Sequence, residues 1–190
     1  MLSHKHQVLD VRTPKEFEQG HIPGAINLPF FTNEERVIVG TIYKQQGRQP
    51  AILKGLELVG PKMKDIIETV NKIENRGCFL LYCWRGGMRS SSVAWLLSTY
   101  GHKVYTLKGG YKFYRRNVLE TFEVKKNIVV LGGKTGSAKT YILKKLEEKG
   151  EQVIDLEALA KHKGSSFGSL GETQPPSQEQ FENLLADKLK

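Results

Sequence analysis

Apolar residues recur along this chain with two alternating periods, and together they sketch an α/β protein. Gln7-Val8-Leu9-Asp10-Val11, Ala25-Ile26-Asn27-Leu28 and Cys78-Phe79-Leu80-Leu81-Tyr82 are short apolar runs bounded by turn residues. Such runs predict buried strands. Thr13 is placed to cap a short helix, with Pro14 at its first position, Glu16 completing a capping box and Gly20 ending it. Pro23-Gly24 then reads as a turn. Residues 33 to 75 read as helical stretches broken at Gly47, Pro50 and Gly60-Pro61. Within them Met63, Ile66, Ile67, Val70 and Ile73 fall three and four apart, the spacing of an amphipathic core helix. Further on, Asn127 to Leu131 and Glu151 to Glu157 predict two more strands. Tyr141 to Leu146 and Gln178 to Lys190 predict helices. Strands that alternate with helices imply parallel sheets covered on their faces.

One strand-to-helix junction carries chemistry. The run Leu80-Tyr82 ends in Cys83, the loop Trp84-Arg85-Gly86-Gly87-Met88 follows, and Arg89 and Ser90 open a helix. A cysteine over a glycine-bearing loop that starts a helix sits among backbone amides and a positive dipole end. That setting lowers a thiol pKa and favours an anion beside it. It suits thiolate attack on an anionic group held by Arg85, Gly86, Gly87 and Arg89. The competing reading of Cys83 is a small core residue; two glycines and two arginines around one cysteine speak against it. Cys78 has no such flank and reads as structural. His21 reads as a turn residue bonded to backbone, and Asp10 with Arg12 as a structural pair or caps.

A second junction is Asn127-Ile128-Val129-Val130-Leu131-Gly132-Gly133-Lys134-Thr135-Gly136-Ser137-Ala138-Lys139-Thr140. It nearly matches the phosphate loop, in which backbone amides cradle phosphate and a lysine reaches the outer oxygens. The candidate contacts are Gly133, Thr135, Gly136, Ser137, Lys139 and Thr140, with Thr140 facing magnesium if a nucleotide binds. Ala138 departs from the pattern, which has glycine there. Asp155 or Glu157 fits a metal- or base-orienting role, and equally a helix N-terminal carboxylate. Lys163, Ser165 and Ser166 fit phosphate contact or an ordinary loop.

Asp10 to Phe17, then Gly20 to Pro29, then the Cys83 loop and Lys108-Gly109-Gly110-Tyr111 resemble, in order, the segments of a rhodanese domain. Followed by a phosphate loop, the whole is similar to the tRNA 2-selenouridine synthase family. Asn33-Glu34-Glu35-Arg36, Tyr43 to Gly47, Cys83 to Ser90, Asp155-Leu156-Glu157, Gly164 to Gly168 and Gln180 to Asn183 extend that resemblance end to end. It implies a rhodanese-like parallel-sheet domain over residues 1-122, with a sulfur- or selenium-carrying Cys83. It also implies the start of a P-loop NTPase-like α/β domain over 127-190. The implied reaction replaces sulfur by selenium in a thiolated wobble uridine of tRNA. Selenophosphate is the implied donor, from a partner enzyme that makes it, and the implied intermediate is S-geranylated uridine made from geranyl diphosphate. Only 64 residues run from Asn127 onward, too few to cover both faces of a P-loop sheet, so the second domain is expected to be incomplete.

Composition narrows the setting. The net charge is +9, and residues 101 to 150 hold twelve Lys or Arg against four Asp or Glu. A basic stretch there suits a tRNA backbone, with Lys112, Arg115 and Arg116 as candidate contacts. Lys144, Lys145 and Lys149 fit a solvated helix face as well. Tyr111, Phe113 and Tyr114 suit base stacking or packing of their helix on the sheet. Two cysteines, one of them reactive, suit a reducing compartment, and no apolar run approaches membrane-spanning length, so a cytoplasmic site is expected. No metal-ligand spacing stands out. Two other functions remain open on sequence grounds: a non-catalytic tRNA-binding remnant, and a plain rhodanese sulfurtransferase.

Overall fold

The computed structural model describes residues 6–73, 78–134, 136–162 and 174–190. Contacts divide the chain into two compact units, Met1–Arg115 and Arg116–Lys190. In the first, β1 (His6–Asp10), α1 (Pro14–Gln19), β2 (Ile26–Asn27), α2 (Asn33–Gln46), α3 (Arg48–Val59), α4 (Met63–Asn71), β3 (Cys78–Tyr82), α5 (Met88–Tyr100) and β4 (Val104–Thr106) follow in order. Helix α6 (Gly110–Glu123) begins in this unit and runs past its boundary.

The four strands form one parallel sheet in the order β2-β1-β3-β4. β1 and β3 are its centre, paired from His6 opposite Cys78 to Asp10 opposite Tyr82. Both are covered on each side, which is why their sequences are apolar at successive positions rather than alternating. Leu9, Phe79, Leu81 and Cys83 face Phe31, Val59, Ile66, Val70, Val93 and Leu97. Val8, Leu80 and Tyr82 face the opposite way, onto Ile22 and Tyr111.

Local chemistry sets the element ends. Thr13 and Glu16 form a capping box at α1, and Thr32 with Glu35 forms another at α2. Glu35 also binds Lys62 at 2.5 Å, tying the start of α2 to the turn before α4. Gly47 ends α2 at φ +91°, a region that glycine enters without strain. Pro50 does not break a helix. It lies in the first turn of α3, where its missing N–H has no helical partner to lose. The amphipathic α4 buries Ile66 and Val70 as its spacing predicts, with Met63, Ile67 and Ile73 packed beside them.

Asp10 and Arg12 form a buried ion pair at 2.6 Å, with side chains 0% and 1% exposed. The guanidinium also donates to the Gly20 carbonyl at 2.6 Å and lies 3.8 Å from the centre of the Tyr111 ring. Asp10 accepts the Arg12 amide as well, at 2.9 Å. Hydrogen bonds thus compensate both desolvated charges. His21 takes the turn role expected of it, with Nδ1 2.9 Å from the Phe17 carbonyl.

In the second unit α7 (Lys139–Glu148) and α9 (Gln178–Lys188) form where helices are expected, and a short α8 (Leu156–Ala160) begins inside the run expected to be a strand. The two expected strands do not form. Residues 127–131 have no strand geometry, and Val129 and Val130 are 97% and 84% exposed. Residues 151–155 are likewise irregular. An apolar run becomes a strand only by sharing a hydrogen-bond ladder with a neighbour, and the described residues of this unit contain no strand to pair with. Asp155 caps α8, its carboxylate accepting the Ala158 amide at 3.0 Å, which is the simpler of its two readings.

Candidate active site

Cys83 follows the last residue of β3, at the carboxyl edge of the sheet. The loop after it turns back so that Gly87 precedes the first residue of α5. Two anchors hold the loop from the side of α6. The Tyr111 amide donates to the Cys83 carbonyl at 2.9 Å, and the Lys112 amide to the Trp84 carbonyl at 2.9 Å. Close approach is needed for this. Gly86 and Gly110 adopt φ of +67° and +58°, and a side chain on Gly110 would collide with the Cys83 carbonyl and the Gly86 nitrogen.

Gly110→Ala is therefore expected to lower stability by about 2 kcal/mol, combining left-handed strain with a displaced loop. It should also slow alkylation of Cys83. Thermal melting and iodoacetamide kinetics check this; a loss under about 0.5 kcal/mol would mean the loop has room to spare.

The thiol lies inside a donor set. Cys83 Sγ accepts the Gly87 amide at 3.2 Å and lies 3.3 Å from Ser90 Oγ. Burial pushes the Cys83 pKa up, but the Ser90 hydroxyl and the amides of Ser90, Gly87 and Arg85 outweigh it and leave the thiol below its ordinary value. Helix α5 adds the positive end of its dipole. Cys83 is 4% exposed and belongs to the core cluster, so packing in the core and a seat among hydrogen-bond donors coexist at this residue. Cys78 is buried and lacks any comparable donor set among the described residues.

The two arginines differ. Arg85 is exposed and makes no side-chain hydrogen bond or ion pair among the described residues. Arg89, the other expected anion contact, binds Glu16 at 2.7 and 3.3 Å. The reason is the approach of α1 to the first turn of α5, a contact between segments more than seventy residues apart that no local pattern announces. Ser90, Glu16 and Gly110 are the residues of this site that the motif alone leaves without a role.

The other candidates fall elsewhere. At the glycine-rich loop before α7, Lys139 Nζ donates to the carbonyls of Gly133 and Lys134 at 2.9 and 3.0 Å. Ser137 Oγ donates to the Lys134 carbonyl at 2.7 Å. Gly136 has φ +82°, and Ala138 has φ +58° and ψ +22°. Ala138 therefore takes the left-handed conformation that the pattern's glycine accepts freely, at a cost of about 1 kcal/mol. Thr140 is exposed in the first turn of α7. Thr135, Lys163, Ser165 and Ser166 lie outside the described residues. Lys112, Arg115 and Arg116 lie within two turns of α6, where Arg116 pairs loosely with Glu120 at 3.6 Å. Tyr111 is fully buried under Arg12, so it packs its helix and offers no face to a base. Phe113 is exposed. Among the described residues no three His, Cys, Asp or Glu side chains form a metal-binding group, and no helix is long and apolar enough to cross a membrane.

Comparison with known proteins agrees with this layout. The rhodanese-like domain family matches residues 1–117, and the tRNA 2-selenouridine synthase AAA domain matches residues 126–190. A protein of Nitrosomonas europaea named tRNA 2-selenouridine synthase is 42% identical over 96% of this chain. One of the same name from Bdellovibrio bacteriovorus is 43% identical over 96%. The chain spans about half the length of these curated relatives, 48% of each. The solved N-terminal domain of a putative ATP/GTP binding protein from Clostridium difficile is 50% identical, with a TM-score of 0.58. That match covers 60% of this chain and 90% of the solved one.

Proposed function

Because the chain belongs to the rhodanese-like domain family and continues into a segment matching the AAA domain of tRNA 2-selenouridine synthases, we propose that it carries the selenium-handling site of such an enzyme, a transferase acting on tRNA. The observation that carries this reading is Cys83 Sγ seated on the Gly87 amide and beside the Ser90 hydroxyl. A thiolate is the form those donors favour, and a thiolate is the nucleophile a chalcogen-handling cysteine needs. Loop amides and Arg85 supply the positive surroundings for an anionic donor, here selenophosphate.

The acceptor is a tRNA with a thiolated wobble uridine. Its sulfur is first alkylated by geranyl diphosphate, the C–O bond to diphosphate breaking as the C–S bond forms. Selenium from selenophosphate then takes the place of the sulfur, which departs as the geranyl thiol while water carries the phosphoryl group away as phosphate. Selenium keeps its oxidation state throughout, so no oxidant or reductant enters. The loop Gly133, Thr135, Gly136, Ser137, Lys139 and Thr140 is the place for the diphosphate. Lys139 would leave the Gly133 and Lys134 carbonyls to reach it, and Thr140 would face a magnesium ion if one accompanies the ligand. Lys112, Arg115 and Arg116 supply cations for the tRNA backbone. The reduced, buried cysteines suit action in the cytoplasm.

The test is chemical. Thiolated tRNA is incubated with selenophosphate, geranyl diphosphate and either this chain or a protein extended to the length of its relatives. The tRNA is then digested and its nucleosides weighed. Formation of 2-selenouridine by the extended protein is the expected result; its absence would overturn the assignment. In binding experiments Arg115→Glu with Arg116→Glu should weaken tRNA affinity about tenfold or more and flatten its salt dependence. Lys144→Glu with Lys145→Glu should do much less, and equal effects would remove α6 from the tRNA surface.

A further inference from the structure

Glu16 joins two partners, one that the capping box announces and one that no sequence motif does. Its carboxylate accepts the Thr13 amide at 3.0 Å, completing the cap of α1. The same carboxylate binds Arg89 Nη1 at 2.7 Å and Nη2 at 3.3 Å. Arg89 lies in the first turn of α5, one residue from Ser90, whose hydroxyl meets Cys83 Sγ at 3.3 Å. The pair is largely withdrawn from water, with side chains 15% and 28% exposed. Arg85, on the same loop, has no side-chain partner among the described residues.

We propose that Glu16 is a positioning residue for the thiolate loop: its carboxylate bolts the first turn of α1 to the first turn of α5 through Arg89, and leaves Arg85 as the cation that meets an arriving anion. The physical reason is geometric. Helix α5 begins at Gly87 with no side-chain cap of its own, so its first turn is free to splay unless something outside the helix holds it. Ser90 and the Gly87 amide solvate the thiolate only while that turn stays in register. Arg89 supplies the hold by binding a carboxylate that the α1 cap has already fixed. Its charge is then matched by Glu16, not by a ligand. Arg85 is spared for the ligand because nothing among the described residues holds it. This inference rests on Cys83 being the reactive thiol.

Two alkylating reagents separate the roles. Iodoacetamide is neutral and reports how well the thiolate is formed and presented. Iodoacetate is an anion of similar size, so the ratio of its rate to that of iodoacetamide reports uncompensated positive charge at the site. Modification of Cys83 in the intact 190-residue chain is followed by peptide mass, which keeps Cys78 apart. Glu16→Gln retains an oxygen for the Thr13 amide while removing the charge. Glu16→Gln and Arg89→Gln should each slow iodoacetamide by a similar factor, about threefold to tenfold. The double variant should be no slower than either, because both break one interaction. Arg85→Gln should lower the iodoacetate preference severalfold. Arg89→Gln should not lower that preference. The proposal is overturned if Arg89→Gln lowers the iodoacetate preference as Arg85→Gln does, or if Glu16→Gln leaves the iodoacetamide rate unchanged. Were Arg89→Gln to unfold the chain, Glu16→Gln reads the same pair from its other side. A Cys83 that reacts no faster than Cys78 in the unaltered chain would instead bring down the nucleophile reading itself.

Discussion

Cys83→Ser should abolish formation of 2-selenouridine in the extended protein, a loss of at least a thousandfold, while the sheet and its helices stay folded. A hydroxyl fits the space of the thiol and still meets the Gly87 amide and Ser90, so the core loses little. What disappears is the nucleophile, since a serine hydroxyl has no base beside it and stays protonated at neutral pH. The same variant exposes the thiolate's own contribution to stability. The native thiol titrates below its ordinary value of about 8.5, so the unfolded chain binds the proton more tightly than the folded one. The extra stability is fully present above the unfolded value and is lost as pH falls through the native value. Cys83→Ser should therefore fall further behind the parent chain as pH rises through the native thiol value toward the unfolded one. Chemical denaturation at several pH values, with nucleoside analysis alongside, checks both halves. A pH-independent difference would mean that the cradle does not favour the anion, and residual selenouridine would mean that the exchange does not need the Cys83 thiolate.

The second large effect is expected at Arg12. Arg12→Met keeps the volume of the side chain but strands the Asp10 carboxylate in the sheet, fully buried opposite Tyr82. Losing one partner of a buried pair costs about 3–5 kcal/mol, a large part of the stability of a domain this size. The Gly20 carbonyl loses a donor and the Tyr111 ring loses the cation above it in the same step. Tyr111 is the residue whose amide holds the Cys83 carbonyl, so damage here reaches the active loop through the start of α6. Combining Arg12→Met with Asp10→Leu should recover much of the loss, because removing both charges also removes the desolvation cost. Urea unfolding of the two variants and the parent decides the matter. A single variant costing under 1 kcal/mol would show that water reaches Asp10 when Arg12 is gone.

How much of this was legible in the residues differs from place to place. The capping box of α1, the turn at Pro23-Gly24, the amphipathic α4 and the strands β1 and β3 follow from short-range rules, and they stand where those rules put them. Each depends on neighbours within a few positions, which a linear pattern records in full. The seat of Cys83 was legible for the same reason: strand end, glycines and helix start lie within eight residues. Pro50 was misread because a proline interrupts a helix only past its first turn, and the true start of α3 lies just before it, at Arg48. The runs at 127–131 and 151–155 were misread because strand formation depends on a pairing partner that composition does not supply.

The sequence by itself determined the strands β1 and β3, the capped α1, the amphipathic α4, the parallel α/β class and the glycine-loop setting of Cys83. These arise from periodicity and from chemistry packed into one loop. The tertiary structure alone decided which of the two loop arginines is paired with a carboxylate. Arg85 and Arg89 are equivalent along the chain, four residues apart around two glycines. Only the fold brings Glu16 against one of them and leaves the other open. It also decided that Gly110 and Tyr111, a quarter of a hundred residues downstream, close the back of the loop. Charges and backbone groups distant in sequence select their partners by where the sheet places them, and pairing energies act only over a few ångströms.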